Sequence, residues 1–121
     1  MSDNAIHITG NMTRAAELRF LPSGQAVASF GIAVNTRKKG ASGDYEDGDP
    51  QFYDVTTFGT LAENVSESLE KGHRVTLNGR LNFSSWEDND GNKRNKVDIV
   101  ADSVGPYLRW ANAVVTRNEK S

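Results

Sequence analysis

Residues 74–86 read RVTLNGRLNFSSW, in which apolar and polar side chains alternate. A period of two is typical of a β-strand, because successive side chains of a strand point to opposite faces of its sheet. One face is apolar and is predicted to meet a core; it consists of Val75, Leu77, Gly79, Leu81 and Phe83. The other face is polar and consists of Arg74, Thr76, Asn78, Arg80, Asn82, Ser84 and Trp86. This polar face is cationic at two places and ends in a tryptophan that we expect to be exposed.

A turn and a further strand follow this segment. The sequence Asn89-Asp90-Gly91-Asn92 is typical of a hairpin turn, and Lys93 to Val104 predicts a last barrel strand. Gly105-Pro106 is predicted to break that strand, and an extended pattern resumes from Tyr107 to Val115. The polar residues 117–121 are predicted to form a frayed end.

Three strands are predicted before residue 74. Ala26 to Thr36 alternates with period two and is rich in β-branched and aromatic residues, which predicts a long strand. Phe52 to Phe58 has a similar pattern, and Ala5 to Phe20 predicts a strand with an irregularity near residues 13–16. The segment between the second and third strands, Arg37 to Pro50, is polar, contains three glycines and is predicted to be a loop.

One short helix is predicted after the third strand. Thr60-Leu61-Ala62-Glu63 fits a capping box, in which the hydroxyl and the carboxylate bind free N–H groups at a helix start. Ala62, Val65 and Leu69 then give an apolar stripe. Gly72 is predicted to end this helix.

The predicted order is three strands, one short helix and two strands. It predicts an all-β fold: a five-stranded Greek-key barrel of the OB type with one short helix between strands 3 and 4, plus a C-terminal extension strand. The alternation alone leaves other small β-barrels open. With 121 residues the chain suits one domain, which we place at residues 1–116.

Composition excludes several classes of protein. The chain has no cysteine, which excludes disulfides, thiolate nucleophiles and cysteine zinc sites. His7 and His73 lack the spacing of a metal site, and no phosphate-binding loop motif is present. We therefore predict no catalytic residue, no metal and no cofactor, and expect that the protein is not an enzyme. Without a signal sequence or an apolar run of membrane length, a cytoplasmic protein is expected.

The net charge of −2 does not favour nucleic-acid binding, because proteins that bind nucleic acids are often basic. The distribution of charge weakens this objection, since acidic residues concentrate in two loops. These are Asp44, Glu46, Asp47 and Asp49 in one loop and Glu87, Asp88 and Asp90 in the other. The strands between these loops are more positive than the total suggests.

Exposed aromatic rings with cations among them suit single-stranded nucleic acid, because bases stack on rings and phosphates bind cations. The candidate stacking residues are Phe52, Phe58 and Trp86. The candidate phosphate contacts are Arg19, Arg37, Lys38, Lys71, Arg74, Arg80, Arg94 and Lys96. Residues expected to pack or to lie at a subunit interface are His7, Tyr53, Tyr107 and Trp110. Each candidate also has an ordinary interpretation, because strand aromatics usually pack in a core and single cations are usually solvated.

Several segments together resemble bacterial single-stranded DNA-binding proteins. The resemblance covers about Ile6 to Val115 and rests on Gly10 to Thr13, Glu17 to Ala28, Phe58 to Val65, Leu69 to Gly72 and Gly79 to Gly91. Gly105-Pro106 followed by Leu108-Arg109 resembles the actinobacterial branch, in which an extra strand clasps the partner subunit.

The resemblance implies a homotetramer that coats single-stranded DNA in replication, recombination and repair, with stacking aromatics at Phe52, Phe58 and Trp86. A further stacking position of the family falls at Lys38, which would meet a phosphate instead of a base. Family positions that are often basic are Asp54, Thr60, Asn82 and Ser84 in this sequence. Fewer phosphate contacts predict weaker and less salt-sensitive binding than is usual for the family.

The family usually carries a long glycine- and proline-rich tail with an acidic tip that recruits other proteins. This sequence ends at Ser121 without one, which predicts a shortened sequence or a tail-less paralogue or phage version, with no tail-mediated partner. An alternative function keeps the fold: an OB-fold protein-interaction module of a replication or primosome assembly with weak DNA binding. RNA binding as a side activity also stays open.

Overall fold

A computed structural model of the chain describes residues 3–119. The elements in this range are β1 (Ala5–Met12), β2 (Glu17–Phe20), β3 (Ala26–Val34), β4 (Arg37–Lys39), β5 (Tyr45–Asp47), β6 (Gln51–Phe58), α1 (Thr60–Ser68), β7 (Arg74–Glu87) and β8 (Lys93–Pro106). The helix in this range is too short to cross a membrane.

Six strands form one sheet in the order β1-β7-β8-β6-β3-β2. β1 pairs with β7 along most of its length and then with β3 at Asn11 and Met12, which closes the sheet into a barrel. β6 and β8 are parallel, whereas the other pairs are antiparallel. With α1 between the third and fourth long strands, this architecture confirms the predicted OB-type barrel.

The core fills the barrel and extends beneath the helix. Its buried side chains are Met12, Phe30, Ile32, Val55, Val65, Leu69, Val75, Leu77, Ile99 and Ala101. A smaller cluster of alanines, Ala26, Ala28 and Ala62, brings α1 close to β3. Thr57 is the buried polar residue of this region, and its hydroxyl donates a hydrogen bond to the Ala28 carbonyl at 3.0 Å.

Two segments differ from the sequence expectation. The predicted strand from Ala5 to Phe20 is divided into β1 and β2, because residues 13–16 leave the ladder at the irregularity expected there. The predicted loop from Arg37 to Pro50 contains the hairpin of β4 and β5. Its turn uses Gly43 at a φ of 88°, a value that glycine adopts without strain.

The predicted capping box at Thr60 is wrong. Gly59 is the N-cap residue, at a φ of 69°, and no side chain caps the helix. Thr60 is therefore the first helical residue and is one position too late for its hydroxyl to cap the free N–H groups. The helix also ends before Gly72, because Leu69 turns to an extended conformation and packs into the core.

The C-terminal region also departs from the expectation. β8 continues through Gly105-Pro106 instead of breaking there, and Val75 pairs with Pro106. The predicted extension strand is absent from residues 107–119, since this segment turns at 108–110 and then runs beside α1 with its side chains exposed, Val114 and Val115 among them. Asn118 and Asn64 exchange side-chain hydrogen bonds at 2.8 and 3.2 Å. Lys120 and Ser121 lie outside the described residues, and the frayed end stays a prediction.

Phe83 was predicted to face the core, but its side chain is 69% exposed. The ladders that join β1 and β6 to this pair of strands stop at Arg80 and Ile99, so β7 and β8 continue beyond the barrel as a two-stranded ribbon. Within residues 3–119, no third layer covers the ribbon face that carries Phe83 and its cross-strand neighbour Val97.

Candidate nucleic-acid interface

One outer surface of the barrel is continuous across β6, β8 and β7. Thr56 pairs with Val100, and Val100 pairs with Arg80, so these three residues form a row that crosses the strands. Paired residues share a face, so the alternation of each strand extends the row into a surface. We call it the aromatic face; its side chains are Phe52, Asp54, Thr56, Phe58, Arg80, Asn82, Ser84, Trp86, Arg94, Lys96, Asp98 and Val100.

Side-chain contacts between the strands agree with this register. Asp98 of β8 accepts hydrogen bonds from Asn82 of β7 at 3.0 Å and from Thr56 of β6 at 3.4 Å. The Lys96 ammonium lies 3.6 Å from a carboxylate oxygen of Asp54. These contacts connect all three strands across the middle of the aromatic face.

The three aromatic side chains predicted to stack are all on this surface and all exposed. Phe52 is 69% exposed, Phe58 40% and Trp86 48%, so the core interpretation is wrong for each of them. Phe52 and Phe58 are at opposite ends of β6, about 20 Å apart along the strand. Trp86 lies on the ribbon, opposite Arg94. Flat apolar rings are thus distributed over a length that several nucleotides could occupy.

Four of the predicted cations accompany these rings. Arg80, Arg94 and Lys96 are on the aromatic face, and Arg19 of β2 aligns with Phe58 through Val27 of β3. Arg94 is held in place, since its Nε donates to the Asp88 carboxylate at 2.8 Å.

The other predicted cations are elsewhere. Arg37 is on the β4–β5 hairpin, and Lys38 is there too, although its side chain lies outside the described residues. Lys71 is exposed in the turn between α1 and β7. The register does not bring these three onto the aromatic face.

Arg74 is not with the other candidates either, although it has the same strand alternation as Arg80. Its guanidinium carbon lies 4.9 Å from the ring centre of Tyr107 and 5.2 Å from that of Trp110. The Nε atom is buried without a hydrogen-bond partner. Arg74 therefore packs against both rings at the end of β7 opposite the ribbon, and the expected grouping with Trp86 is corrected.

Sequence reasoning missed Arg14. It lies in the irregular segment between β1 and β2, and its guanidinium reaches over Gly31 of β3 to Asp54, at 3.4 Å. A Cβ atom at Gly31 would come within 2.6 Å of this guanidinium, so the glycine makes room for it. No periodic pattern covers residues 13–16, and the sequence therefore gave no indication that this cation lies beside the aromatic face.

Carboxylates reduce the positive charge of the aromatic face. Asp54 and Asp98 lie among its cations. At the ribbon tip, hydrogen bonds to the Asp88 carboxylate from the Asn92 backbone and the Arg94 side chain lower its pKa below the ordinary 3.8. The electrostatic attraction of this surface for an anion is therefore modest.

The residues expected at subunit contacts lie in three separate places. His7 of β1 contacts Asn78 at 2.8 Å and Thr76 at 3.3 Å on the outer side of the barrel. Tyr53 is half-buried against the core, on the opposite side of β6 from Phe52. Tyr107 and Trp110 pack on each other with ring centres 5.7 Å apart. Their role in an interface stays a prediction.

Within residues 3–119, no three side chains of the types that bind metal ions lie close enough together to hold one. The geometry around the aromatic face is that of a binding surface made of rings, cations and amides. It has the composition that single-stranded nucleic acid requires.

Residues 3–107 match the single-strand binding protein family. The chain belongs to this family. The resemblance inferred from the sequence is thereby confirmed over most of its length.

Curated relatives of the family agree on the branch. The chain is 42% identical over 120 residues to the single-stranded DNA-binding protein of Paenarthrobacter aurescens, which covers 98% of this chain and 70% of that protein. It is 42% identical to the single-stranded DNA-binding protein of Mycolicibacterium smegmatis, with 98% and 73% covered. Both are actinobacterial, as Gly105-Pro106 and Leu108-Arg109 indicated.

Solved structures of single-strand binding proteins share the fold. The small single-stranded DNA-binding protein from Streptomyces coelicolor superposes with a TM-score of 0.74 at 30% identity, covering 89% of this chain and 97% of that one. A deletion mutant of the single-stranded DNA binding protein from Thermus aquaticus gives a TM-score of 0.76 at 27% identity, covering 88% and 51%.

Proposed function

We propose that this chain binds and coats single-stranded DNA without sequence-specific recognition, in replication, recombination and repair. The observation that carries the proposal is the exposure of Phe52, Phe58 and Trp86 on one continuous face, with cations beside them. Each base–aromatic stack contributes roughly 1–3 kcal/mol and tolerates any base, because every base has a π-face. The names of the relatives support the same ligand.

We assign the phosphate contacts mainly to the cations around the aromatic face. Arg80, Arg94 and Lys96 lie on this face, and Arg19 and Arg14 lie at its edge. A strand that runs across the stacking rings would pass within reach of these side chains. Arg37, Lys38 and Lys71 are assigned to the flanks, where a longer strand would meet them.

We expect the binding to depend on stacking more than on charge. Asp54 pairs with two of the cations, Arg14 and Lys96, and Asp98 adds a further carboxylate. Each phosphate contact makes the slope of log affinity against log salt concentration steeper by about 0.7 on single strands. Cations that are partly neutralised release fewer counterions, so the slope should be shallow.

The test is a fluorescence titration with oligo-dT at low and high salt. The chain has two tryptophans, Trp86 on the aromatic face and Trp110 beside Arg74, which makes Trp110→Ala a matched control. Quenching should persist in Trp110→Ala and disappear in Trp86→Ala. Affinity, followed through the anisotropy of a labelled oligonucleotide, should fall about 5- to 150-fold in Trp86→Ala only.

No binding of any oligonucleotide at low salt would refute the proposal. In that case the protein-interaction module would be the function to pursue, with partners found among replication proteins. Equal affinity loss in the two variants would refute the assignment of stacking to the aromatic face.

The family also supports a proposal on assembly and location. We infer a homotetramer from the resemblance to the family. One barrel offers a site of about 4–16 nucleotides, and four barrels would wrap a longer strand. A protein that coats DNA acts where the DNA is, so we infer a cytoplasmic, nucleoid-associated location. Binding without turnover is the expected activity, and the chain is therefore proposed not to be an enzyme.

A further inference from the structure

An acidic side chain lies in the middle of the aromatic face, where a repulsive charge would be unexpected. Asp54 is on β6, two residues from Phe52 and on the same side of the strand, so about 7 Å separates their Cα atoms. Its side chain is 47% exposed. A base stacked on Phe52 would therefore have its edge beside this carboxylate.

The carboxylate is held in position without losing its capacity to accept hydrogen bonds. One oxygen lies 3.4 Å from the Arg14 guanidinium and the other lies 3.6 Å from the Lys96 ammonium. Both distances exceed the roughly 2.7–2.9 Å of a strong charge-assisted hydrogen bond. An ionised carboxylate has about four lone-pair sites, and the donors from Arg14 (Nη1 and Nη2) and Lys96 occupy at most three of them, so at least one remains for a ligand.

We propose that Asp54 makes the aromatic face prefer bases that carry an exocyclic amino group. This inference rests on the proposed binding of single-stranded DNA. A carboxylate only accepts hydrogen bonds, and it therefore complements the amino groups of cytosine, adenine and guanine. Thymine has no amino group. Its pairing edge has one N–H between two carbonyl oxygens, and these oxygens repel a carboxylate.

The two cations explain how a carboxylate can be tolerated next to DNA. Arg14 and Lys96 approach Asp54 from opposite sides, from the β1–β2 segment and from β8. They offset its repulsion of nearby phosphates. Asp54 can then act on the base edge, while the rings carry most of the binding.

Asp98 provides a matched comparison on the same surface. Its two oxygens accept hydrogen bonds from Asn82 at 3.0 Å and from Thr56 at 3.4 Å, so it links three strands, and it lies on β8, one strand away from the strand that carries Phe52. The substitutions Asp54→Asn and Asp98→Asn remove the same charge from the same face. Asp54→Asn also releases Arg14 and Lys96 from their ion pairs, but a gain in affinity through phosphates applies to every oligonucleotide and cancels in a ratio of two affinities.

The experiment measures affinities for oligo-dC and oligo-dU of equal length at pH 7.5, using wild-type protein and both variants. These oligonucleotides differ only at the base edge. Cytosine has an amino group where uracil has a carbonyl oxygen, and cytosine lacks the ring N–H of uracil. Asp54→Asn should shift the ratio of dC to dU affinity about fivefold towards dU, because an amide can also donate to carbonyl oxygens. Asp98→Asn should leave the ratio within about twofold of the wild type.

An unchanged ratio in Asp54→Asn would overturn the inference, and so would an equal shift in both variants. Tight binding of both oligonucleotides with an unchanged ratio would still leave the proposed function standing. Absence of binding to either oligonucleotide would refute the proposed function itself.

Discussion

Strand β7 passes through two different environments, and the same alternation has a different meaning in each. In the barrel half, residues 74–81, Val75 and Leu77 are buried while the opposite side chains point outwards. In the ribbon half, residues 82–87, every residue is exposed, including the supposed core residue Phe83. Alternation thus predicts which side chains share a face, whereas burial depends on a covering layer that alternation does not encode.

The largest expected effect is on stability, and it separates the two halves of β7. Leu77 is 1% exposed, so Leu77→Ala should lower the free energy of unfolding by about 2–5 kcal/mol through lost transfer energy and a residual cavity. Phe83→Ala should change it by about 0.5 kcal/mol or less. Urea unfolding at a fixed protein concentration measures both. A cost for Phe83→Ala as large as that of Leu77→Ala would show that the ribbon face is covered in solution.

The sequence predicted the barrel well, because its strands alternate and its helix has an apolar stripe. The misses have physical reasons. Thr60 fits a capping pattern, but Gly59, with its positive φ, takes the N-cap position. Residues 107–119 have an extended pattern, but they turn at 108–110 and run exposed beside α1 instead of pairing with a strand.

The candidate site was predictable in part, because strand alternation also shows which polar and aromatic side chains share a face. Aromatic and cationic positions on strands can be assigned to a face, and Phe52, Phe58 and Trp86 are together as expected. Arg14 could not be found, because it lies in an irregular segment and is brought over Gly31 by the fold. Arg74 has the right periodicity, but it is too far along the strand from Trp86.

The second prediction compares two phenylalanines with equal exposure on different faces. Phe52 and Phe83 are each 69% exposed, but only Phe52 is on the aromatic face. Phe52→Ala should weaken oligo-dT binding by roughly 1–3 kcal/mol, because it removes one stacking ring. Phe83→Ala should leave the affinity unchanged. Fluorescence anisotropy of a labelled oligonucleotide measures both, and an equal loss in both variants would mean that DNA contacts the Phe83 side of the ribbon as well as the aromatic face.

The third prediction compares two arginines of β7 that share one alternation. Arg80 is exposed on the aromatic face, whereas Arg74 packs against Tyr107 and Trp110. Arg80→Gln should reduce the slope of log affinity against log salt by about 0.7, the value for one phosphate contact on a single strand. Arg74→Gln should leave the slope unchanged, although it removes the same charge. Titrations at four salt concentrations would measure the slope of each variant. A lower slope for Arg74→Gln would indicate that the DNA passes the end of β7 opposite the ribbon.

The smallest expected effect concerns the ribbon tip and its dependence on pH. Backbone hydrogen bonding from Asn92 and the side chain of Arg94 lower the pKa of Asp88 below 3.8. A folded-state pKa below the unfolded value means that this carboxylate contributes stability above pH 3.8, which is lost as the pH falls through the lowered pKa.

Hydrogen exchange of the Asn92 amide should therefore accelerate in acid, below pH 3.8, relative to amides of the barrel. In Asp88→Asn this acid-dependent step should disappear. A step that persists in this variant would assign the pH dependence to another carboxylate.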